Sequence, residues 1–350
     1  MRNLFTIVLC LTIGPLPAQV TKKLPNGLFC FIDYEGKRLG ELGTWSKAES
    51  FRSQSPFAKV QNVVGGTFLL TRTGQIYRVV DQVANLYPAV TALDLSHQHL
   101  KTLPRRIFQS TQLKVLILNH NQLAALPSEI GQLKNLVELH LMGNQLTQLP
   151  TTITNLRQLK RIILKGNRFV ELPATIGQLD SLQTLDVSWN KLVKLPATIG
   201  QLGNLQTLDV SWNKLVELPR AIGQLKSLMN LALWNNQLQR LPAEIGQLQN
   251  LTALVAFHNQ LTELPREIGQ LSKVTWLNVH HNRLVQLPST LGQLKQLTGL
   301  MLLNNRLPQL PASIQMLKKL EQIDVRNNPV TPQNQRQIIK WLPHCKVRFQ

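Results

Sequence analysis

Three kinds of chemistry-bearing residue recur in this chain at intervals of 23, and each kind points to a different activity. Asp186 and Asp209 stand one interval apart; carboxylates that perturb each other are the raw material of paired acid–base catalysis. His258 and His281 share the same spacing, with His280 beside the second, and His97, His120 and His140 form a similar group nearer the N-terminus. Grouped imidazoles are a usual beginning of a transition-metal site. Trp189 and Trp212, then Trp234, Phe257 and His280, supply rings whose chemistry is stacking and apolar contact.

The first two chemistries lack their other members. No nucleophile, oxyanion donor or phosphate-binding Gly loop accompanies the aspartates, and no carboxylate or thiolate stands at a ligand position beside either histidine group. The sequence therefore predicts no catalytic residue, no metal ligand and no cofactor. The histidines read as solvated surface side chains that repetition has brought together. The aspartates read as rim charges for a basic ligand, or as residues kept by duplication.

The elements that position these residues follow from the same interval. Asn recurs every 23 residues from Asn121 to Asn328, with Gln98 one step earlier, and Pro keeps that step from Pro104 to Pro311 without an insertion. One unit, Leu182 to Asn204, reads LQTLDVSWNKLVKLPATIGQLGN. Around Leu185-Asp186-Val187 apolar and polar residues alternate, so a short strand turns Leu185 and Val187 inward and Thr184, Asp186 and Ser188 outward. One unit cannot bury its own leucines; units stacked about 4.8 Å apart make a continuous core. Asn, with one acceptor and two donors, suits the point where the chain turns in from the strand. In Leu-Pro the residue before Pro is held extended while Pro opens a short helix at its first position.

The unit matches L-x-x-L-x-L-x-x-N-x-L followed by LPxxIGQL, and on that pattern the chain resembles leucine-rich repeat proteins. The similarity is to the class found in Ras-suppressor and Scribble-type proteins and in secreted bacterial proteins, and it covers about residues 90 to 350. It implies an α/β fold: a curved, right-handed solenoid with a parallel concave sheet and short convex helices. The expected organisation is a signal peptide at 1–18, a small β-rich N-terminal cap or module at 19–89, repeats at 90–329 and a helical C-terminal cap at 330–350.

The fixed register lets the concave surface be named. Trp234, Phe257 and His280 share one outward row, Trp189, Trp212, His258 and His281 follow at the strand ends, and Trp276 begins a strand. With Asp186 and Asp209 these are the candidate ligand contacts, because large rings on a rigid surface are the usual anchors of a protein contact. A structural ladder is the competing reading, since the string LQTLDVSWNKLV occurs twice and Trp189 and Trp212 then count as one event.

The ends carry separate signals. Met1 to Asn3 form a short basic head, Leu4 to Ile13 an apolar run, and Gly14 to Ala18 a breaker before an expected cut ahead of Gln19. About ten apolar residues are too few to span a bilayer, which takes roughly 20. The chain is expected to be secreted, periplasmic or at the cell surface; a cytoplasmic location is the alternative. Cys10 makes a poor lipoprotein acceptor, and Cys30 and Cys345 lie too far apart in a solenoid to bridge. Within 19–89, Leu28–Asp33, Val60–Val64, Thr67–Thr71 and Ile76–Val80 read as strands with Gly65-Gly66 and Thr73-Gly74 as turns. Trp45 would mark a separate binding module there. Thr331 to Leu342 reads as an amphipathic helix with Trp341 in the cap core, and Lys346 to Phe349 as a last strand.

The chain carries 38 Lys plus Arg against 18 Asp plus Glu, a net charge of +20. That excess invites a nucleic-acid reading, but Arg168, Lys191, Lys214, Arg283 and Arg306 follow successive strands and other bases fall on the convex side or in the caps. Dispersed charge excludes sequence-specific nucleic-acid binding and fits solubility, acidic partners or anionic surfaces, with peripheral membrane contact not indicated. The expected function is non-enzymatic recognition of a protein or peptide by a monomer. The alternatives are a glycan-binding surface adhesin and a secreted effector that inhibits or scaffolds a partner enzyme.

Overall fold

The computed structural model describes residues 20–24, 26, 28–32, 44–50 and 56–349. The expected signal peptide at 1–18, with Cys10, lies outside them.

Each repeat devotes three residues to strand. In β12 (Thr184–Asp186) Leu185 is fully buried, as is Val187 just beyond, while Thr184 and Asp186 are half-exposed. Eleven such strands, β8 (Ala92–Asp94) to β18 (Gln322–Asp324), pair in parallel among the described residues. Every pair joins residues 23 apart, Leu185 with Leu208 and Asp186 with Asp209 for example. Behind the sheet one apolar column runs from Leu86 to Leu342, built from the strand leucines, the leucine after each Asn and the Ile of each convex turn. Burying one leucine stabilises by about 1.5–3 kcal/mol, and here that burial is completed by the neighbouring unit.

The Asn ladder does more than serve its own turn. Asn213 Nδ2 donates to the carbonyls of Val210 (3.0 Å) and Ser211 (3.1 Å) in its own unit and to Val187 (3.0 Å) in the unit before, while its Oδ1 accepts the Leu192 amide at 2.8 Å. Asn236 and Asn282 repeat the pattern. Each Asn thus fastens one repeat to its predecessor, satisfying backbone groups that solvent does not reach.

The short convex helices are five-residue 3-10 helices such as Ala197–Gln201; Pro196 does not open the helix at its first position but stands one residue outside with an extended backbone (φ −67°, ψ 146°), its carbonyl accepting the Ile199 amide at 3.0 Å. Units stacked at strand spacing leave little width for an α-helix about 10 Å across. Gly200 shows how tight the stacking is: a Cβ there would lie 2.5 Å from the Ala221 carbonyl oxygen of the next turn.

At the N-terminal end β1 (Val20–Lys23), β2 (Phe29–Ile32) and β3 (Thr44–Trp45) form a small antiparallel sheet. Then β4 (Lys47–Ala48), β5 (Phe57–Gln61), β6 (Thr67–Thr71) and β7 (Ile76–Val80) form an antiparallel meander whose last strand pairs in parallel with β8. The segment therefore continues the repeat sheet. The expected strand at Val60–Val64 lies instead at Phe57–Gln61, because Asn62 and Gly65 (φ 86°) close a tight turn that leaves Val63 and Val64 exposed. Trp45 is buried against Ala58, Val60 and Leu70 in the cap's own core, not displayed as a binding residue.

At the other end α1 (Pro332–Trp341) is capped by Thr331, whose hydroxyl accepts the Asn334 amide at 3.2 Å. Ile338 is fully buried and Trp341 packs on the core, but Ile339 faces solvent. β19 (Lys346–Arg348) then pairs with β18. Cys30 and Cys345 are both free, and burial pushes the Cys345 thiol up to about 11. No helix among the described residues is long and apolar enough to cross a membrane.

Asn213→Ala removes bonds to two repeats at once and is expected to cost about 1–3 kcal/mol, lowering the urea midpoint, whereas the exposed neighbour Lys214→Ala should leave it unchanged. Equal midpoints for the two variants would refute the inter-repeat role of the ladder.

Candidate recognition surface

The residue before each Asn is held in the left-handed region. Trp189 (φ 56°), Trp212 (φ 51°), His258 (φ 50°) and His281 (φ 51°) share this conformation with His97, His120, Asn235, Asn304 and Asn327, and with Gly143 and Gly166. Gly and Asn adopt it at little cost; a bulky side chain pays roughly 1–2 kcal/mol. Tryptophan twice in succession is thus a costly choice where Gly or Asn would serve. The register that makes a left-handed residue necessary also sets each such side chain beside its counterpart one repeat away.

The rings form one unbroken stack. Trp189 lies on Trp212 with centroids 4.1 Å apart and planes 15° from parallel. Trp212 meets Trp234 edge-on at 5.7 Å and 81°. Trp234 lies on Phe257 at 5.0 Å and Phe257 on His280 at 4.3 Å. The edge-on joint is where the ladder steps from the left-handed row to the row one residue earlier, so five repeats contribute to one surface. Trp189 ends it with 43% of its surface exposed.

Trp276 joins from the side. It packs against Val255 and Phe257, and its ring covers Gly299 on the next strand, where even a Cβ would collide with it. The indole nitrogens of Trp212 and Trp276 are buried without a hydrogen-bond partner.

The two aspartates are held, not free. Asp186 Oδ1 accepts the Ser188 hydroxyl at 2.6 Å and its amide at 2.9 Å, and Asp209 is bound in the same way by Ser211. Burial, and then Asp186 one strand away, push the Asp209 carboxyl up to about 7 against the pull of Ser211 and Lys165. Burial raises Asp186 as well, opposed by Ser188, Lys165 and Arg161. Both residues are half-exposed and also tie down the strand ends through these serines.

Of the two histidine groups, only one is assembled. His97 stacks on His120 at 4.6 Å, but His140 is turned away, 2.9 Å from Glu138 and beneath Phe57. There Phe57, Leu69, Tyr77 and Val79 of the cap join Val115 and Ile117 in a cluster that closes the outward face of the first repeats. His258, His280 and His281 do converge, with ring centroids 4.2 to 5.5 Å apart. Burial and mutual repulsion hold His280 down at about 3, and burial lowers His258 and His281, so the group is neutral at pH 7. The histidines are expected to be solvated; in this group His258 is exposed and His281 half-exposed, but His280 is buried.

Comparison with known proteins decides the family. The model of the leucine-rich repeat region matches residues 76–191 and 152–258, together just over half of the chain. The chain belongs to the leucine-rich repeat proteins. Among solved structures, a leucine-rich repeat protein of Leptospira interrogans is 34% identical, over 75% of this chain and 84% of that one, with a TM-score of 0.44. A TDR receptor is 27% identical over 77% of this chain and 49% of its own, with a TM-score of 0.67. The plant peptide hormone receptor RGFR1, in complex with RGF2, is 26% identical over 85% and 52%, with a TM-score of 0.60. This leucine-rich repeat protein spans about half the length of those two receptor chains. No curated protein matches it.

Two features of this repeat surface escaped the sequence: the left-handed row and the shielding of the aspartates. The first was readable in principle, because Gly143, Gly166, Asn235, Asn304 and Asn327 alternate with Trp and His at one position, and Gly with Asn marks positive φ. A pH test follows from the second. Between about pH 4 and about pH 7 the folded chain keeps a proton on Asp209 that the unfolded chain has released, so stability falls as pH rises through that window. Asp209→Asn is expected to flatten the fall and raise the neutral-pH unfolding midpoint; an unaltered slope in urea titrations at about pH 5 and about pH 8 would show the proton to be elsewhere.

Proposed function

We propose that this leucine-rich repeat protein is a non-enzymatic recognition module that binds a protein or peptide across the concave face, anchored on Trp189, Trp212, Trp234 and Phe257, with Trp276 and the histidines alongside. The observation that carries this reading is the pair of tryptophans kept in a left-handed conformation that Asn or Gly would occupy without strain. Strain retained at a surface is a reason to look for use there.

Other features agree. The exposed end of the stack at Trp189 is bordered by Arg168, Lys191 and Lys214, exposed bases on three consecutive repeats. That edge favours a ligand with an apolar or aromatic group and an acidic flank, the charges steering approach and the rings holding on. The similarity to RGFR1, a peptide hormone receptor seen with RGF2, points the same way. A glycan is less well served, because Asp186 and Asp209, which would hydrogen-bond its hydroxyls, already accept from Ser188 and Ser211. The basic head and apolar run at the N-terminus support a location outside the cell, and we take the module to act as a monomer.

Trp189→Asn with Trp212→Asn exchanges lost stacking of about 0.5–1.5 kcal/mol per pair against relieved backbone strain of similar size. Stability should therefore stay within about 1 kcal/mol of wild type while affinity for a peptide selected from a display library falls at least tenfold, as for a hot spot. Undiminished peptide affinity in the double variant, measured by calorimetry, would remove the aromatic ladder from the contact.

A further inference from the structure

We propose that His258, His280 and His281 form a binding site for a divalent transition metal ion of the zinc class at the edge of the outward sheet face. The site adjoins the recognition surface, since His280 ends the ring stack, but metal uptake is read without any partner and so stands or falls on its own.

Each of the three residues places a ring nitrogen within 4.8 Å of the other two. A tetrahedral zinc ion with nitrogen ligands at about 2.0–2.1 Å holds those nitrogens about 3.3 Å from one another. The Nδ1 atoms of His280 and His281 are already 2.6 Å apart. Binding requires that gap to open and His258 to turn inward, with His280 held on Phe257. Three imidazoles without a carboxylate suit zinc, copper or nickel and not magnesium or calcium.

Proton bookkeeping leaves one of the three rings unsatisfied. A neutral imidazole carries one N–H. His281 meets Asn304 through Nε2 and His280 through Nδ1, so one proton serves the contact between the two rings. Whichever ring carries it, His280 Nε2 remains buried without a hydrogen-bond partner, in a residue 4% exposed. The atom offered to an ion is His280 Nδ1, whose one partner is another imidazole nitrogen. His258 is exposed and His281 half-exposed, which gives the ion a path from solvent and leaves a coordination position facing it.

Repetition alone does not produce this group. His258 and His281 are counterparts one repeat apart, but the residues equivalent to His280 are Phe257 before it and Leu303 after it. At the other end of the sheet, where only His97 and His120 stack, no third imidazole closes the set.

The test titrates the full chain with zinc chloride by calorimetry at neutral pH, and with cobalt(II) to read tetrahedral geometry from visible absorption. One zinc per chain is expected. His258→Asn and His281→Asn should each weaken it at least tenfold, the scale that even an outer-shell change reaches. Asn already stands at the same left-handed position at Asn235, Asn304 and Asn327, so both variants should fold, as their circular dichroism will show. His97→Asn with His120→Asn should leave zinc binding intact. Absence of saturable uptake near one ion per chain, or uptake unchanged in the His258→Asn and His281→Asn chains, overturns the proposal.

Discussion

The structure depends on a short hydrogen-bonded reach. An asparagine at one point of the unit holds carbonyls of its own strand end and of the strand before, and accepts an amide from the preceding turn, as Asn213 does with Val210, Val187 and Leu192. Hydrophobic burial drives the units together, but burial is indifferent to sliding. The asparagine is not, because its amide fits only one offset between neighbours. That offset makes residues 23 apart lie side by side and turns scattered tryptophans into a ladder.

The same constraint generates the tension at the outward face. To bring each Asn inward the chain must pass through a left-handed residue, and wherever that residue is large its side chain is thrust beside its equivalents. Gly143 and Gly166 take the easy solution; Trp189 and Trp212 take the strained one and gain a ring contact at 4.1 Å. Local backbone economy and surface chemistry compete here, and the outcome differs from repeat to repeat. Such differences are where recognition departs from architecture.

The sequence announced the repeat, the inward leucines, the continuous sheet and the surface on which Trp189, Trp212, Trp234 and Phe257 meet, because all follow from alternation and a fixed interval. What it hid depends on distances between units. The convex segments shrink to 3-10 turns because Gly200 must approach Ala221, a restriction that no single unit displays. His140 is lost beneath Phe57 since the cap folds over the first strands, and His280 is buried because Phe257 covers it. The first contact lies off the 23-residue interval; the second lies on it, between counterparts one repeat apart, but the burial comes from the size of the neighbouring ring and not from the position in the unit, so position could not distinguish a buried imidazole from an exposed one.

The unbroken interval from Gln98 to Asn328 has a bearing on how such a surface changes. Because no unit carries an insertion, the end of any one is geometrically interchangeable with the end of any other. Excising a whole unit, or copying one as the two LQTLDVSWNKLV strings suggest, shortens or lengthens the face by a single rung and leaves every remaining rung aligned. The molecule behaves as a modular ruler, whose reach is altered by whole numbers while the grip of each part is inherited intact.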